Sequence, residues 1–217
     1  MDVERARFNM VEQQIRTWEV LDQAVLDTLY VVRREQFVPP AYRALAFSDL
    51  EVPIGAGERM MQPKLEARIL QELALKPTDR VLEVGTGSGY MAALAASRAS
   101  EVITVEIEPT LKAFGEANLK RAGILNVTVE TGDASRGWPA RAPYDAIIVT
   151  GSMPILPQTM LESLRSGGRL FAVIGDPPVM FARLVSCIGP GSYSAVDLFE
   201  THLAPLKNTL QPKRFKF

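Results

Sequence analysis

The sequence contains few of the side chains that carry metal or nucleophilic chemistry. Its 217 residues include one cysteine, Cys187, and one histidine, His202. A single cysteine excludes an internal disulfide and a thiolate metal cluster, and we expect no metal site. We interpret Cys187 as a small core residue and His202, near the end of a strand, as structural. No Ser/His/Asp or Cys/His catalytic set can be assembled from this composition.

Strong net charge and long apolar runs are also lacking. The formal charge is −1 at pH 7, so no overall basic field attracts nucleic acid or an anionic membrane. The local basic cluster at residues 213–216 is interpreted as a solvated tail. The first residues carry charges rather than the apolar core of a signal peptide, and no run approaches the length of a membrane span. We therefore expect a cytoplasmic protein without nucleic-acid or membrane partners.

The dominant pattern from residue 80 onwards is an alternation of strands and helices. Strands are predicted at 80–84, 101–107, 127–131, 144–150 and 169–174, and helices at 90–98, 109–122 and 157–164. Such alternation is typical of a Rossmann-like α/β fold, with a doubly wound, mostly parallel seven-stranded sheet. The last two runs, 180–188 and 192–203, have no long helix between them. They are predicted to form a hairpin at one sheet edge.

The residues before this alternation are predicted to form an N-terminal helical extension. Two helices are predicted between residues 3 and 32, followed by an irregular wrap rich in proline and glycine over 35–57. A further helix is predicted over 64–75 and ends before Pro77. We predict that residues 1–78 cover the active site, that residues 79–217 bind the cofactor, and that both form one compact unit.

A glycine-rich loop follows the first strand of the alternating region. The strand ends at Val84 and continues into Gly85-Thr86-Gly87-Ser88-Gly89 before the next helix. Glycine allows a ligand to approach the main chain closely, and open α/β sheets bind ligands at the carboxyl ends of their strands. On its own this loop is weak evidence, because a tight strand–helix turn has the same pattern.

Acidic residues near successive strand ends make the prediction more specific. Glu83 precedes the loop, Glu106 ends the next strand where an acid can bind ribose hydroxyls, and Asp133 follows the third strand. Nicotinamide cofactors use G-x-G-x-x-G to bind a pyrophosphate, whereas the spacing here is G-x-G-x-G. Three acids suit the sulfonium and ammonium of S-adenosylmethionine better than a pyrophosphate. We predict S-adenosylmethionine as the cofactor, with a nicotinamide cofactor as the alternative.

At this point the sequence resembles a specific family, the protein-L-isoaspartate O-methyltransferases. The resemblance covers nearly the whole chain and is carried by VLEVGTGSGY (81–90), APYDAIIVT (142–150), LRSGGRL (164–170), VRREQFVP (32–39), PIGAG (53–57) and LAPL (203–206). It implies a class I methyltransferase-like fold and methylation of the α-carboxylate of isoaspartyl residues in damaged proteins. The methyl ester then collapses to a succinimide, from which normal aspartate can form.

The resemblance also implies roles for individual residues. The cofactor would be cradled by Gly85, Thr86, Gly87 and Ser88, with Glu106 and Ile107 at the ribose and Asp133 and Ala134 at the adenine. The carboxylate nucleophile has a pKa near 4 and is ionised at neutral pH, so no general base is required. The expected task of the enzyme is to align the reacting groups and exclude water.

The substrate motif departs from the family pattern. The family has a serine beside the reacting carboxylate, and Met61 occupies that catalytic position in Arg59-Met60-Met61-Gln62-Pro63. Methionine cannot donate a hydrogen bond. Arg59, where a threonine is usual, together with Gln62, Gly151 and Ser152, is predicted to orient the substrate. The alternatives are a same-fold methyltransferase with a different, small-molecule substrate and a catalytically silent cofactor-binding paralogue. The chain is predicted to be a monomer or a homodimer.

Overall fold

The computed structural model describes residues 2–213, and its N-terminal part is mostly helical. Helix α1 (Val3–Asn9) begins after Asp2, whose carboxylate accepts a hydrogen bond from the Arg5 amide at 3.1 Å. The helix continues as a π-helical turn and a 3-10 turn up to Trp18. Helix α2 (Gln23–Val31) begins in the same way after Asp22. The two helices predicted between residues 3 and 32 are therefore present.

The predicted irregular wrap contains short regular elements. Two 3-10 turns (Arg34–Gln36 and Pro40–Leu45) precede a small antiparallel hairpin that the sequence did not predict. Its strands are β1 (Val52–Gly55) and β2 (Glu58–Met60). Helix α3 (Pro63–Leu73) follows, with proline in its first turn and a left-handed residue after its last.

The alternating region follows the prediction closely. Its elements are β3 (Arg80–Val84), α4 (Tyr90–Ala96), β4 (Glu101–Glu106), α5 (Pro109–Arg121), β5 (Val127–Thr131), β6 (Tyr144–Met153), α6 (Gln158–Glu162), β7 (Leu164–Asp176), β8 (Val179–Gly189) and β9 (Ser192–Glu200). They form one seven-stranded sheet in the order β5-β4-β3-β6-β7-β8-β9. The pairs from β5 to β7 are parallel, and β7-β8-β9 are antiparallel.

This sheet confirms the predicted Rossmann-like, doubly wound, mostly parallel architecture. The predicted edge hairpin is present, with β8 next to β7 and β9 at the edge. Strand β6 continues past its predicted end at Thr150, because its last residues pair with the end of β7 and with a segment near residue 205. The Ser152 amide donates to the Ala204 carbonyl at 2.8 Å, and the Leu206 amide donates to the Ser152 carbonyl at 2.9 Å.

Apolar side chains cover both faces of the sheet. Successive residues of β3 point to opposite faces, so Val81 belongs to one buried cluster and Leu82 to the other. The first cluster also contains Leu26 and Ile69 from the N-terminal segment, whereas the second contains Cys187, which is buried as predicted. Within residues 2–213, no helix is long and apolar enough to cross a membrane. Of the basic cluster predicted at 213–216, residues 214–216 lie outside the described part of the chain.

Helix α5 packs unusually closely against the turn between β3 and α4. A Cβ atom on Gly115, buried in the middle of α5, would lie 2.7 Å from Thr86 Cγ2 and 3.0 Å from the Gly87 carbonyl oxygen. Both distances are shorter than ordinary van der Waals contacts. The helix therefore reaches the main chain of the glycine loop only because position 115 has no side chain.

We expect Gly115→Ala to lower the free energy of unfolding by about 1–3 kcal/mol, although alanine favours helices by about 1 kcal/mol relative to glycine. The added methyl group must displace the loop backbone, which cannot move as freely as the end of a side chain. Urea unfolding followed by circular dichroism measures the change. Gly189→Ala is the matched control, since a Cβ at position 189 meets no atom within 4 Å. Equal stability of the two variants would contradict the packing argument.

Candidate active site

A solvent-open cleft lies at the carboxyl ends of the parallel strands. The space between its walls is about 810 Å³, part of which is open solvent. Its wall is contributed by the ends of β3, β4 and β6, the residues that follow β5, the β1–β2 hairpin and residues 203–207. The location agrees with the rule that open α/β sheets bind ligands outside the carboxyl ends of their strands.

A smaller pocket of about 300 Å³ adjoins the cleft, and we call it the methionine pocket. Its wall contains the methionines Met60, Met61 and Met91 and the carboxyl groups of Glu66 and Glu83. The cleft and the methionine pocket share five residues, namely Ile54, Arg59, Gly85, Gly87 and Thr150. The glycine loop therefore lies at the junction of the two spaces.

The glycine loop is held by hydrogen bonds from neighbouring strands. The Gly85 amide donates to the Val105 carbonyl at 2.9 Å. The Thr150 hydroxyl lies 2.8 Å from the Val84 carbonyl and 2.9 Å from the Gly85 carbonyl, so it can donate to either. Gly85 has a φ of +97°, and a Cβ there would collide with the Thr150 hydroxyl. Glycine at this position is thus required by both backbone conformation and contact.

Glu83 is fully buried at the edge of the methionine pocket. Its Oε2 accepts from the Thr104 hydroxyl at 2.5 Å, and Thr104 is in turn 2.7 Å from the Thr86 hydroxyl. Its Oε1 has no hydrogen-bond partner among residues 2–213. Burial raises the pKa of Glu83 to about 8, and the negative charges of Glu106 and Glu66 act in the same direction. The carboxyl group of Glu83 is therefore protonated at neutral pH, and its unpaired Oε1 borders the methionine pocket.

Glu106 connects the cleft to the glycine loop. Its Oε2 accepts from the Gly87 amide at 2.9 Å, and its Oε1 accepts from the Glu108 amide at 3.0 Å. The predicted ribose residues Glu106 and Ile107 both line the cleft. Because each carboxylate oxygen can accept more than one hydrogen bond, Glu106 keeps acceptor capacity for a hydroxyl ligand.

Asp133 lies on the exposed rim of the cleft, and the predicted Ala134 lies buried beside it. The carboxylate accepts from the Ser135 amide and from the Asn208 side chain, both at 2.9 Å. Burial acts to raise the pKa of Asp133, but these hydrogen bonds outweigh it and lower the pKa below its usual value. Asp133 is thus an ionised acceptor held in place from two directions.

The predicted substrate residues occupy different environments. Met61 is 5% exposed and lines the methionine pocket. Arg59 is exposed and borders both spaces, and its side chain forms no ion pair or hydrogen bond within residues 2–213. Gly151 lines the cleft. Gln62 lines neither space and immediately precedes α3, where its side chain makes no capping hydrogen bond.

Ser152 is buried behind the cleft wall. Its hydroxyl donates to the Leu203 carbonyl at 2.8 Å, and its amide donates to the Ala204 carbonyl. Both of its donors are therefore used by the C-terminal segment. The structure places Ser152 where it supports Gly151 rather than where it faces a ligand.

Several wall residues were not predicted as site residues. Ile54 borders both spaces, and a Cβ on Gly87 would lie 3.1 Å from its Cδ1. Leu206 packs against Gly151, where a Cβ would lie 2.7 Å from Leu206 Cδ2. Both lie in motifs that carry the family resemblance, PIGAG and LAPL. The resemblance therefore pointed to these segments but gave no role to either residue. Glu66 had no such signal, since its spacing fits an ordinary helix.

The fold and the site together define a Rossmann-like methyltransferase. The family model described as protein-L-isoaspartate(D-aspartate) O-methyltransferase matches residues 5–202. The chain belongs to this family. Methyltransferases of the family use S-adenosylmethionine, so the predicted enzyme class and cofactor are confirmed and the nicotinamide alternative is wrong.

Relatives with the family name are similar over most of the chain. A protein-L-isoaspartate O-methyltransferase of Methanoculleus marisnigri is 43% identical over 171 residues, covering 79% of this chain and 78% of its own. One from Gloeobacter violaceus is 39% identical over 197 residues, covering 91% and 96%. These similarities agree with the family assignment.

A solved structure supports the fold. A Plasmodium falciparum protein given as a candidate protein-L-isoaspartate O-methyltransferase, in complex with S-adenosyl-L-homocysteine, has a TM-score of 0.80 and 23% identity. The match covers 93% of this chain and 98% of that one. The same overall architecture is thus found in an experimental structure.

We expect the stability of the wild type to fall relative to Glu83→Gln as the pH rises from about 4.5 to about 8. Glu83 is protonated in the native state and ionised in the unfolded state over this range, so unfolding releases a proton. The slope is at most about 1.4 kcal/mol per pH unit. Urea unfolding at intervals between pH 5 and pH 8 measures it. For Glu116→Gln, at an exposed position on α5, the free energy of unfolding should change with pH as it does for the wild type. If the free energy of unfolding of Glu83→Gln also changes with pH as in the wild type, the proposed protonation of Glu83 is wrong.

Proposed function

We propose that this chain is a cytoplasmic protein-L-isoaspartate O-methyltransferase that methylates the carboxylate of isoaspartyl residues in damaged proteins. The observation that carries the substrate proposal is Arg59, an unpaired guanidinium at the junction of the cleft and the methionine pocket. A free cation at this position favours an anionic acceptor. The relatives from Methanoculleus marisnigri and Gloeobacter violaceus carry the same enzyme name, which supports the choice.

The residues of the cleft fit S-adenosylmethionine. Gly85 and Gly87 leave room for a ligand against the main chain, and the unpaired Oε1 of Glu83 fits an ammonium group. Glu106 would hold ribose hydroxyls, and Asp133 would hold the adenine side with Ala134. When bound, the cofactor supplies a methyl group attached to a positively charged sulfur. The acids around the cleft compensate that positive charge.

The protein side of the reaction is alignment and exclusion of water. An isoaspartyl carboxylate is already ionised at neutral pH and needs no general base. Met61 has no hydroxyl to donate a hydrogen bond to this carboxylate. Arg59 would orient the carboxylate instead, through a charge-assisted contact. The side chains of Met60, Met61 and Met91 form an apolar wall that keeps water from the reacting groups. Proximity and orientation then supply the catalysis.

Transfer of radiolabelled methyl from S-adenosylmethionine to an isoaspartyl peptide tests the function. We expect the wild type to label this peptide and not the matching aspartyl peptide. Met61→Ser is measured in parallel. Labelling by Met61→Ser alone would overturn the isoaspartyl substrate for the natural chain and favour another acceptor. Absence of labelling by both, with intact cofactor binding, would favour a small-molecule substrate or a silent paralogue.

We expect Arg59→Ala to lower kcat/KM for the isoaspartyl peptide by roughly 10- to 100-fold, the loss for a charge-assisted hydrogen bond. Arg59→Lys should retain part of the activity, because it keeps the charge but not the planar fork. Affinity for S-adenosylhomocysteine, measured by calorimetry, should change little. Arg183→Ala is the control. Arg183 on β8 pairs with Asp197 on β9 and lines neither the cleft nor the methionine pocket. Unchanged kcat/KM in Arg59→Ala would remove the basis for an anionic acceptor.

A further inference from the structure

A buried ion pair lies beneath the methionine pocket. Arg34, in the first 3-10 turn of the wrap, is bonded through Nη1 to Oε2 of Glu66 on α3. The two side chains are 1% and 2% exposed, and the guanidinium lies over the ring of Tyr90 at 5.2 Å from its centroid. Glu66 lines the methionine pocket, whereas Arg34 lies behind it. Burial raises the pKa of Glu66, and the charge and hydrogen bond of Arg34 offset only part of that rise.

The same guanidinium holds the main chain at Met61. Its Nη2 donates to the Met61 carbonyl oxygen at 2.6 Å. Met61 and Gln62 connect β2 to α3 and belong to neither element. One planar group therefore joins three parts of the chain: the wrap, the connection at Met61 and helix α3.

Stability alone does not account for this arrangement. Removing two charges from water offsets much of their attraction, and well-packed apolar side chains are often as stabilising. In addition, Arg34 Nε is buried without a hydrogen-bond partner among residues 2–213, which is a further cost. What the guanidinium fork supplies is geometry, because it fixes the direction and distance of two acceptors at once. One acceptor is the Glu66 carboxylate, and the other is the carbonyl oxygen of Met61, the residue at the predicted substrate position.

We propose that Arg34 and Glu66 form a positioning pair that holds the Met61 main chain, and with it the wall of the methionine pocket, in place for the methyl acceptor. Arg59 lies two residues before Met61, so the pair also limits where that guanidinium can reach. Arg34 lines neither the cleft nor the methionine pocket and acts through the Met61 main chain. This inference rests on the proposed function.

The test replaces the ion pair by apolar side chains, so that no charge is left buried without a partner. Arg34→Met/Glu66→Leu and Arg34→Lys are compared with the wild type. The control is Arg183→Met/Asp197→Leu, which removes an exposed ion pair between β8 and β9. The measurements are thermal unfolding, affinity for S-adenosylhomocysteine, KM and kcat for the isoaspartyl peptide, and amide hydrogen exchange of residues 58–65.

We expect the apolar double variant to fold, with its affinity for S-adenosylhomocysteine within threefold of the wild type. Its KM for the peptide should rise at least tenfold, kcat should change less, and amides of residues 58–65 should exchange faster. Arg34→Lys, which keeps the charge but loses the fork, should raise KM by a smaller factor. The control pair should leave all these values unchanged.

A folded double variant with wild-type KM and wild-type exchange would overturn the inference. If the double variant fails to fold, Arg34→Lys decides in its place, and wild-type KM and exchange in that variant overturn it equally. A wild type that does not methylate the peptide would defeat the proposed function instead. Hydrogen exchange then still decides: faster exchange confined to residues 58–65 supports the positioning pair, and unchanged exchange overturns it.

Discussion

The turn from Gly85 to Gly89 is the constraint on which the rest of the site depends. Main-chain and side-chain hydrogen bonds reach it from β4 and β6, and α5 contacts it directly at Gly115. These contacts come from parts of the chain that are far apart in sequence. The loop therefore has its shape before any ligand arrives, and both the cleft and the methionine pocket are built around it.

Much of the fold was predictable because local pattern and tertiary structure agree in the parallel sheet. Strands β3, β4 and β5 are short and bounded by turn residues, so their limits were found within a residue, whereas β6 and β7 extend beyond their predicted limits. The loop and the acids Glu106 and Asp133 followed from their positions at strand ends, and both acids line the cleft together with Gly85 and Gly87. The division at residue 78 and the roles of individual site residues stay predictions.

The missed features depend on contacts that periodicity does not contain. The β1–β2 hairpin has strands of four and three residues, and Pro53 and Gly55 within it read as loop. Ser152 was predicted, with Gly151, to orient the substrate, and its hydroxyl and amide donate to the carbonyls of Leu203 and Ala204, about fifty residues later. Arg34 was noted only within the motif VRREQFVP and Glu66 only within a predicted helix, and the packing of the wrap on α3 buries both.

The part of the cleft wall made by residues 203–207 has a consequence for biosynthesis. A chain grows from its N-terminus on the ribosome, so the glycine loop and the first strands are made well before this segment. Leu206 and Lys207 line the cleft, and Leu206 packs against Gly151. A nascent chain therefore has an incomplete cofactor site until these residues have emerged. The growing chain therefore becomes able to bind its ligand only when residues 203–207 complete the wall, and not when the first strands of the sheet form.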